Sequence, residues 1–254
     1  QGDYSLFPIH PDDKQGLKDL LARVRSGEVT GLNVTIPHKQ NVIELMDELT
    51  PTAKAIGAVN TIYLREDKLI GDNTDASGFL SDLKKFVKKK TGRQINKNAL
   101  ILGAGGSARA VVYALLINNW NVTLAARRIE QAQSLTQSFS NYQHLHRAQV
   151  QVLPITNFTD LQPSTLRQAQ GNVFDLIVNT TPLGMTPNIE VSPLPENIIL
   201  SPHTVIYDLI YNPHETKLVK DARAQGLSAT TGLGMLIEQA ALAFELWTGH
   251  TASR

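Results

Sequence analysis

The sequence predicts an α/β fold in two domains, a doubly wound parallel sheet plus a smaller α/β unit, on three observations. From about Gly78 short apolar strands alternate with helices, the pattern that builds a parallel sheet with helices on both faces. A glycine-rich turn, Gly103-Ala104-Gly105-Gly106-Ser107, joins one of those strands to the helix after it. Before Gly78 the segments are shorter and include a hairpin, which marks a second unit. At 254 residues, 42% apolar and 19% charged, the chain is long enough for one or two buried cores.

In order, Tyr4–Ile9 reads as an extended segment, and a helix is expected from about Asp12 to Ser26, stopped at Ser26-Gly27. Gly31–Ile36 alternates as a strand. Pro37 then opens a helix whose Val42, Leu45, Met46 and Leu49 share one face and which Thr50-Pro51 ends. Gly57–Leu64 and Lys68–Gly71 form a hairpin turned at Arg65–Asp67. The repeating text follows: helix Gly78–Lys90, strand Ala99–Leu102, helix Ala108–Asn118, strand Asn121–Ala125, helix Glu130–Ser140 and strand Gln149–Pro154. Beyond a polar, Pro- and Gln-rich stretch come strands Asp175–Asn179 and Thr204–Asp208. A last helix, Gly234–Trp247, carries an apolar face.

Composition excludes several chemistries. With 24 basic and 23 acidic side chains, the net charge of +1 gives no electrostatic case for nucleic acid or an anionic membrane as partner. The absence of cysteine removes disulfides, thiolate nucleophiles and Cys-ligated metal centres. The apolar run Ala99–Ile117 is broken by glycines and Arg109, so no transmembrane helix is expected. No signal-peptide pattern is seen in the sequence at hand, and the absence of cysteine fits a reducing compartment, so a cytoplasmic protein is the expectation. The lysines of Lys84–Lys90 read as a solvated helix face, and His144 with His146 as a polar loop rather than a metal site.

The glycine-rich turn has the form G-x-G-x-x-A in the strand–turn–helix context that gives this motif meaning. Gly103 makes the tight turn, Gly105 lets a pyrophosphate approach the backbone, and Ala108 permits close helix–strand packing. The helix start supplies free N–H groups and the positive end of a dipole. A Rossmann-like dinucleotide-binding domain is therefore expected, with Gly103, Ala104, Gly105, Gly106 and Ser107 as cofactor contacts. The next strand ends in Ala126-Arg127-Arg128, with no acidic residue to bond a ribose 2′-hydroxyl. Two guanidinium groups suit a 2′-phosphate, so NADP is favoured over NAD.

Three polar strings lie outside that loop: Asn33–Lys39, Gly57–Thr61 and Gly71–Asp75. Lys39 falls in the first turn of the helix after Pro37, where the dipole disfavours a lysine and its presence asks for a reason. On this string alone an acid–base lysine and an ordinary surface lysine both remain open. Asp75 is equally open between a functional carboxylate and a cap for the helix near Gly78.

These strings, with Gly103–Arg109, Asn179–Met185, Asp208–Tyr211 and Gly232–Ala240, together resemble shikimate dehydrogenase, in matching order and over essentially the whole chain. The resemblance implies NADPH-dependent, reversible reduction of 3-dehydroshikimate to shikimate, a step of chorismate and aromatic amino acid biosynthesis. It implies Lys39 as the catalytic lysine paired with Asp75. Thr35, Asn60, Asp75, Tyr211 and Gln239 would be substrate-binding residues, and Ala126, Arg127, Arg128, Leu209 and Gly232 further cofactor contacts. Residues 1–75 with 232–254 would form the substrate-binding domain and 76–231 the NADP-binding domain. The partner implied is a small molecule, the metal none, and the assembly a monomer or homodimer.

The family also carries a strand–helix segment with a Ser-x-Ser pair ahead of the part matched here. Since the chain begins at Gln1, further N-terminal sequence is expected. At the adenosine loop the family often has Asn-Arg-Thr where this chain has Ala126-Arg127-Arg128, and Gln131 replaces a common basic residue. The competing readings are a quinate/shikimate dehydrogenase with broader substrate and NAD use, and an NADP-binding module without catalysis.

Overall fold

A computed structural model describes residues 2–90, 97–140, 148–157, 161, 174–196 and 198–254. His144 and His146 lie outside the described residues. The chain divides into two compact units, Gln1–Asn73 with Ala243–His250, and Thr74–Leu242 with Thr251–Arg254.

In the first unit, helix α1 (Lys14–Arg25) buries Leu17, Leu20, Leu21 and Val24, spaced to fall on one face. The Asp13 carboxylate caps it by accepting from the Gly16 N–H at 2.8 Å. Strands β1 (Gly31–Asn33), β2 (Glu48–Leu49), β3 (Thr61–Arg65) and β4 (Lys68–Asp72) make a sheet of order β1-β3-β4-β2. The hairpin is as read: Glu66 and Asp67 take positive φ of 51° and 59°, the turn that antiparallel β3 and β4 require. Leu32, Val42, Val59, Ile62 and Leu69 close the core under α1.

Two expectations fail in this unit. Tyr4–Ile9 is irregular and joins no ladder among the described residues. Pro8 removes one ladder donor, and the segment is held by side chains instead. The Tyr4 hydroxyl donates to Asn33 Oδ1 at 3.0 Å, its ring stacks on Trp247, and the Arg23 guanidinium lies over Phe7. The long helix after Pro37 is also absent. There is one helical turn, α2 (His38–Asn41), a 3-10 turn over Ile43–Leu45, and then β2. The sheet edge takes the chain: the Asp47 N–H donates to the Leu69 carbonyl at 3.0 Å and the Thr50 N–H to Gly71 at 3.0 Å. Thr50-Pro51, read as a stop, is a start. Thr50 Oγ1 accepts from the Ala53 N–H at 3.2 Å and caps α3 (Pro51–Ile56).

The second unit holds a six-stranded parallel sheet: β5 (Asn98–Leu102), β6 (Asn121–Ala126), β7 (Val150–Pro154), β8 (Leu176–Asn179), β9 (Val205–Asp208) and β10 (Ser228–Thr231). Its order is β10-β9-β8-β5-β6-β7. The chain runs outward from β5 through β6 to β7, returns to β8, and runs outward the other way. That is the Rossmann order, with its reversal between β5 and β8, the place where such sheets take a ligand. All five residues of β5 are buried, as a strand covered on both faces must be. Among the described residues its helices are α4 (Asp75–Lys90), α5 (Gly106–Leu116), α6 (Ile129–Ser138), α7 (Lys217–Ala224) and α8 (Leu233–Thr248), the last belonging to the first unit from Ala243. The sequence reading had no counterpart for α7 and β10. No helix among the described residues is long and apolar enough to cross a membrane.

Candidate active site

The cofactor loop is built at the reversal point. β5 ends at Leu102, and Gly103 follows with φ of 110°, which an L side chain rarely adopts. Its N–H donates to the Ala125 carbonyl of β6 at 2.9 Å, and a Cβ there would stand 2.7 Å from Thr180 Oγ1. Ala104 and Ala108 are buried beneath the turn. At Gly105, the N-cap of α5, a Cβ would meet nothing within 4 Å, so the backbone lies open. The first N–H groups of α5 start at that opening, unsatisfied by the helix itself.

Gly103 bonds the strand that ends at Ala126, so Arg127 and Arg128 follow on the neighbouring strand end, both exposed, with Arg128 at the N-cap of α6. Open backbone, a helix start and two guanidinium groups fit a dinucleotide bearing a 2′-phosphate. Arg109 faces elsewhere: it donates to Ser138 Oγ at 3.1 Å, and burial holds its basicity below the usual arginine range.

The other half of the sheet edge gathers further sequence-predicted residues. The Leu209 N–H donates to the Asn179 carbonyl at 3.0 Å, and the Gly232 N–H to the Ile210 carbonyl at 3.0 Å. A Cβ on Gly232 would stand 2.2 Å from the Leu209 carbonyl oxygen, so only glycine lets these two loops touch. Tyr211, two residues beyond Leu209, is exposed. In the same unit Asp75 is the first residue of α4 and buried. This moves the start of the helix read from Gly78 back to Asp75, and it removes the alternative in which Asp75 caps a helix near Gly78. Neighbouring Thr74 Oγ1 reaches Gln239 Oε1 at 3.5 Å, and a Cβ on Gly78 would press on Gln239 Cβ at 2.8 Å. Asp75 and Gln239 thus stand on helices in contact.

In the first unit Thr35, Lys39 and Asn60 are drawn together by backbone bonds. The Val34 N–H donates to the Asn60 carbonyl, and the Val59 N–H to the Lys39 carbonyl, both at 2.7 Å. Asn60 is buried, and its Oδ1 accepts from Thr61 Oγ1 at 2.9 Å. The Thr35 carbonyl accepts from the His38 N–H and starts the turn that carries Lys39. Because α2 is a single turn, the dipole argument for Lys39 does not hold; position beside Asn60 is what distinguishes this lysine.

Sequence reasoning gave no role to Asn179, Asp208 and Thr216. Asn179 and Asp208 end β8 and β9 in register and are fully buried. Asp208 Oδ1 accepts from Asn179 Nδ2 at 2.9 Å and the Ile210 N–H at 3.1 Å, and its Oδ2 from Thr216 Oγ1 at 2.7 Å. Burial pushes the carboxyl up to about 6 against those bonds. The signal was present: each apolar strand, Leu176-Ile-Val and Val205-Ile-Tyr, stops on a polar residue.

Residues 1–62 match the model of the shikimate dehydrogenase substrate binding domain and residues 232–254 that of the shikimate 5'-dehydrogenase C-terminal domain. A shikimate dehydrogenase (NADP(+)) of Methanococcus maripaludis is 40% identical over 93% of this chain and 78% of its own length. The chain belongs to the shikimate dehydrogenase family. Among solved structures it resembles the Thermus thermophilus shikimate 5-dehydrogenase in complex with NADP(H) and shikimate. That match has a TM-score of 0.76 at 34% identity, over 94% of this chain and 80% of that one. The Corynebacterium glutamicum quinate dehydrogenase in complex with NAD matches with a TM-score of 0.78 at 30% identity, over 96% and 82%. The matched segments of the shikimate dehydrogenase family contain Thr35, Lys39 and Asn60 in the first and Gly232 and Gln239 in the second.

Proposed function

We propose that this chain catalyses the NADPH-dependent, reversible reduction of 3-dehydroshikimate to shikimate, a step of chorismate and aromatic amino acid biosynthesis. The observation that carries this is the open glycine loop with Arg127-Arg128 on the adjoining strand end, in a chain of this family. Gly103 to Ser107 would hold the pyrophosphate and Ala126 to Arg128 the adenosine 2′-phosphate, while Leu209 and Gly232 would flank the nicotinamide. Bound NADPH supplies the hydride. Lys39 donates a proton to the substrate's carbonyl oxygen and recovers it in the reverse direction, stabilising negative charge as it develops. Asp75 accepts from a ring hydroxyl and orients the substrate toward Lys39. Thr35, Asn60, Tyr211 and Gln239 supply further polar contacts to a polyhydroxylated ring.

In this reading residues 1–75 with 232–254 bind substrate and 76–231 bind NADP. The same reading makes it a cytoplasmic protein, monomer or homodimer, whose partner is a small molecule; the near-balance of charge speaks against nucleic acid or an anionic membrane. The likeness to an NAD-bound quinate dehydrogenase makes quinate oxidation with NAD the second reading; the paired arginines, in place of an acidic residue, favour NADP. The test mixes the purified chain with 3-dehydroshikimate and NADPH and follows the loss of NADPH absorbance. Shikimate identified by mass is the expected product, and unconsumed NADPH with both reactants present would overturn the assignment.

A further inference from the structure

The buried Asn179–Asp208 pair is absorbed by none of the roles above, yet it governs the loops that carry several of them. Asn179 Nδ2 donates to the Leu183 carbonyl at 3.2 Å as well as to Asp208, and its Oδ1 accepts from the Thr181 N–H at 3.0 Å and Thr181 Oγ1 at 2.7 Å. One amide side chain therefore shapes the whole turn after β8. Asp208 does the same after β9, fixing the Ile210 N–H and the Thr216 hydroxyl. The Ile210 carbonyl in turn receives the Gly232 N–H, and Leu209 lies against Gly232. A further contact, Thr186 Oγ1 to Asn212 Oδ1 at 3.3 Å, joins the two loops farther out.

Among the described residues no basic side chain pairs with Asp208. Its carboxylate is held only by neutral donors, an arrangement that costs stability for a buried charge. What a carboxylate offers here is two acceptor oxygens facing three donors; an apolar residue would strand all three.

We propose that Asp208 is a positioning residue for hydride transfer: locked to Asn179, it sets the strand-end loops bearing Leu209, Tyr211 and the neighbour of Gly232, against which the nicotinamide end of the cofactor rests. The proposal rests on the NADP-dependent reading above. It assigns Asp208 no contact with substrate or cofactor. The adenosine end, held on β5 and β6, should not sense the residue.

The test uses the full chain, Asp208→Ala and Asp208→Asn, with three readouts: melting temperature, affinity for adenosine 2′,5′-bisphosphate, and kcat and KM for shikimate oxidation by NADP+. Asp208→Ala should lose roughly 10–100-fold in kcat, the scale of a small misplacement of reacting groups. Its affinity for the bisphosphate should stay within about twofold, well under one tenfold step of affinity. Asp208→Asn keeps an oxygen toward Asn179 and Ile210 and turns an NH₂ toward the Thr216 hydroxyl, so it should recover most of kcat. A lower melting temperature with unchanged kcat would make the role structural only and overturn the proposal. An Asn variant as slow as the Ala variant would overturn it too. Should Asp208→Ala fail to fold, Thr216→Val, which removes one donor and leaves the carboxylate, should lower kcat in the same direction; unchanged kcat there counts against the proposal. Silence of the unaltered chain fails the underlying reading itself, and is seen before any variant is compared.

Discussion

At the scale of single residues, the proposed reaction places its heaviest chemical load on Lys39. Its carbonyl accepts from the Val59 N–H, one residue from buried Asn60, so the turn that presents it is tied to the segment leading into β3. Lys39→Ala should depress kcat by about 10²–10⁴-fold, the range for an acid–base group, with a much smaller change in KM. A near-normal kcat in steady-state assays would remove the assignment. In the proposed function Arg127 and Arg128 act on binding alone. Replacing both with alanine should raise KM for NADPH at least tenfold, the equivalent of one charge-assisted bond, and leave kcat almost unchanged. The NADP+ to NAD+ preference should collapse with it, and a preserved ratio contradicts the arginine account.

Asp208 adds a pH signature. Its carboxyl is raised to about 6 in the folded chain from an ordinary value of 3.8. The folded state therefore binds more protons between those values, and the stability linked to this group is present at low pH and lost as pH rises through about 6. Against Asp208→Asn, the unaltered chain should gain relative stability on going from about pH 7 to about pH 5. Melts that stay parallel would mean that the carboxyl ionises as easily folded as unfolded, and melts that diverge the other way that it ionises more easily in the folded chain.

At the scale of elements, legibility followed how much each element depends on its own sequence. β5, α5 and β6 were readable because their apolar runs, glycine stops and helix period are local facts. The segment after Pro37 was not, because Val42, Leu45, Met46 and Leu49 have helical spacing while the bonds that decide its path come from β4. Tyr4–Ile9 reads as extended but lacks a partner strand among the described residues, and an apolar extended segment alone does not make a ladder. β10 is short and polar, Ser-Ala-Thr-Thr, and is strand only by pairing with β9. The candidate site followed the same rule: the glycine loop and arginines were local motifs, whereas the Asn179–Asp208 pair exists only once β8 and β9 lie side by side.

Close packing of elements is testable at Gly31. A Cβ there would stand 2.2 Å from Trp247 Nε1, and the indole N–H donates to the Ile62 carbonyl at 3.1 Å. Gly31→Val should cost about 1–3 kcal/mol, the usual penalty of overpacking. Denaturant melts followed by tryptophan fluorescence check it, and an unshifted midpoint would show that the indole need not lie over β1.

At the scale of the whole molecule, the parallel sheet sets the chemistry by where its order reverses. The turn after β5 opens at that reversal, and the strand ends on either side supply the arginines and the Leu209–Gly232 contact. The first unit holds Thr35, Lys39 and Asn60 just outside the strands of its own sheet. Two sheets with distinct residue sets are what an enzyme needs if one recognises the nucleotide and the other the reacting ring. The most direct measurement crosses shikimate and quinate with NADP+ and NAD+ and records the rate of cofactor reduction in each pairing. Rapid turnover with shikimate and NADP+, with the other three pairings at least tenfold slower, is the expected result. Equal or faster turnover with quinate or NAD+ would contradict the reading of Arg127 and Arg128 and the substrate assigned here.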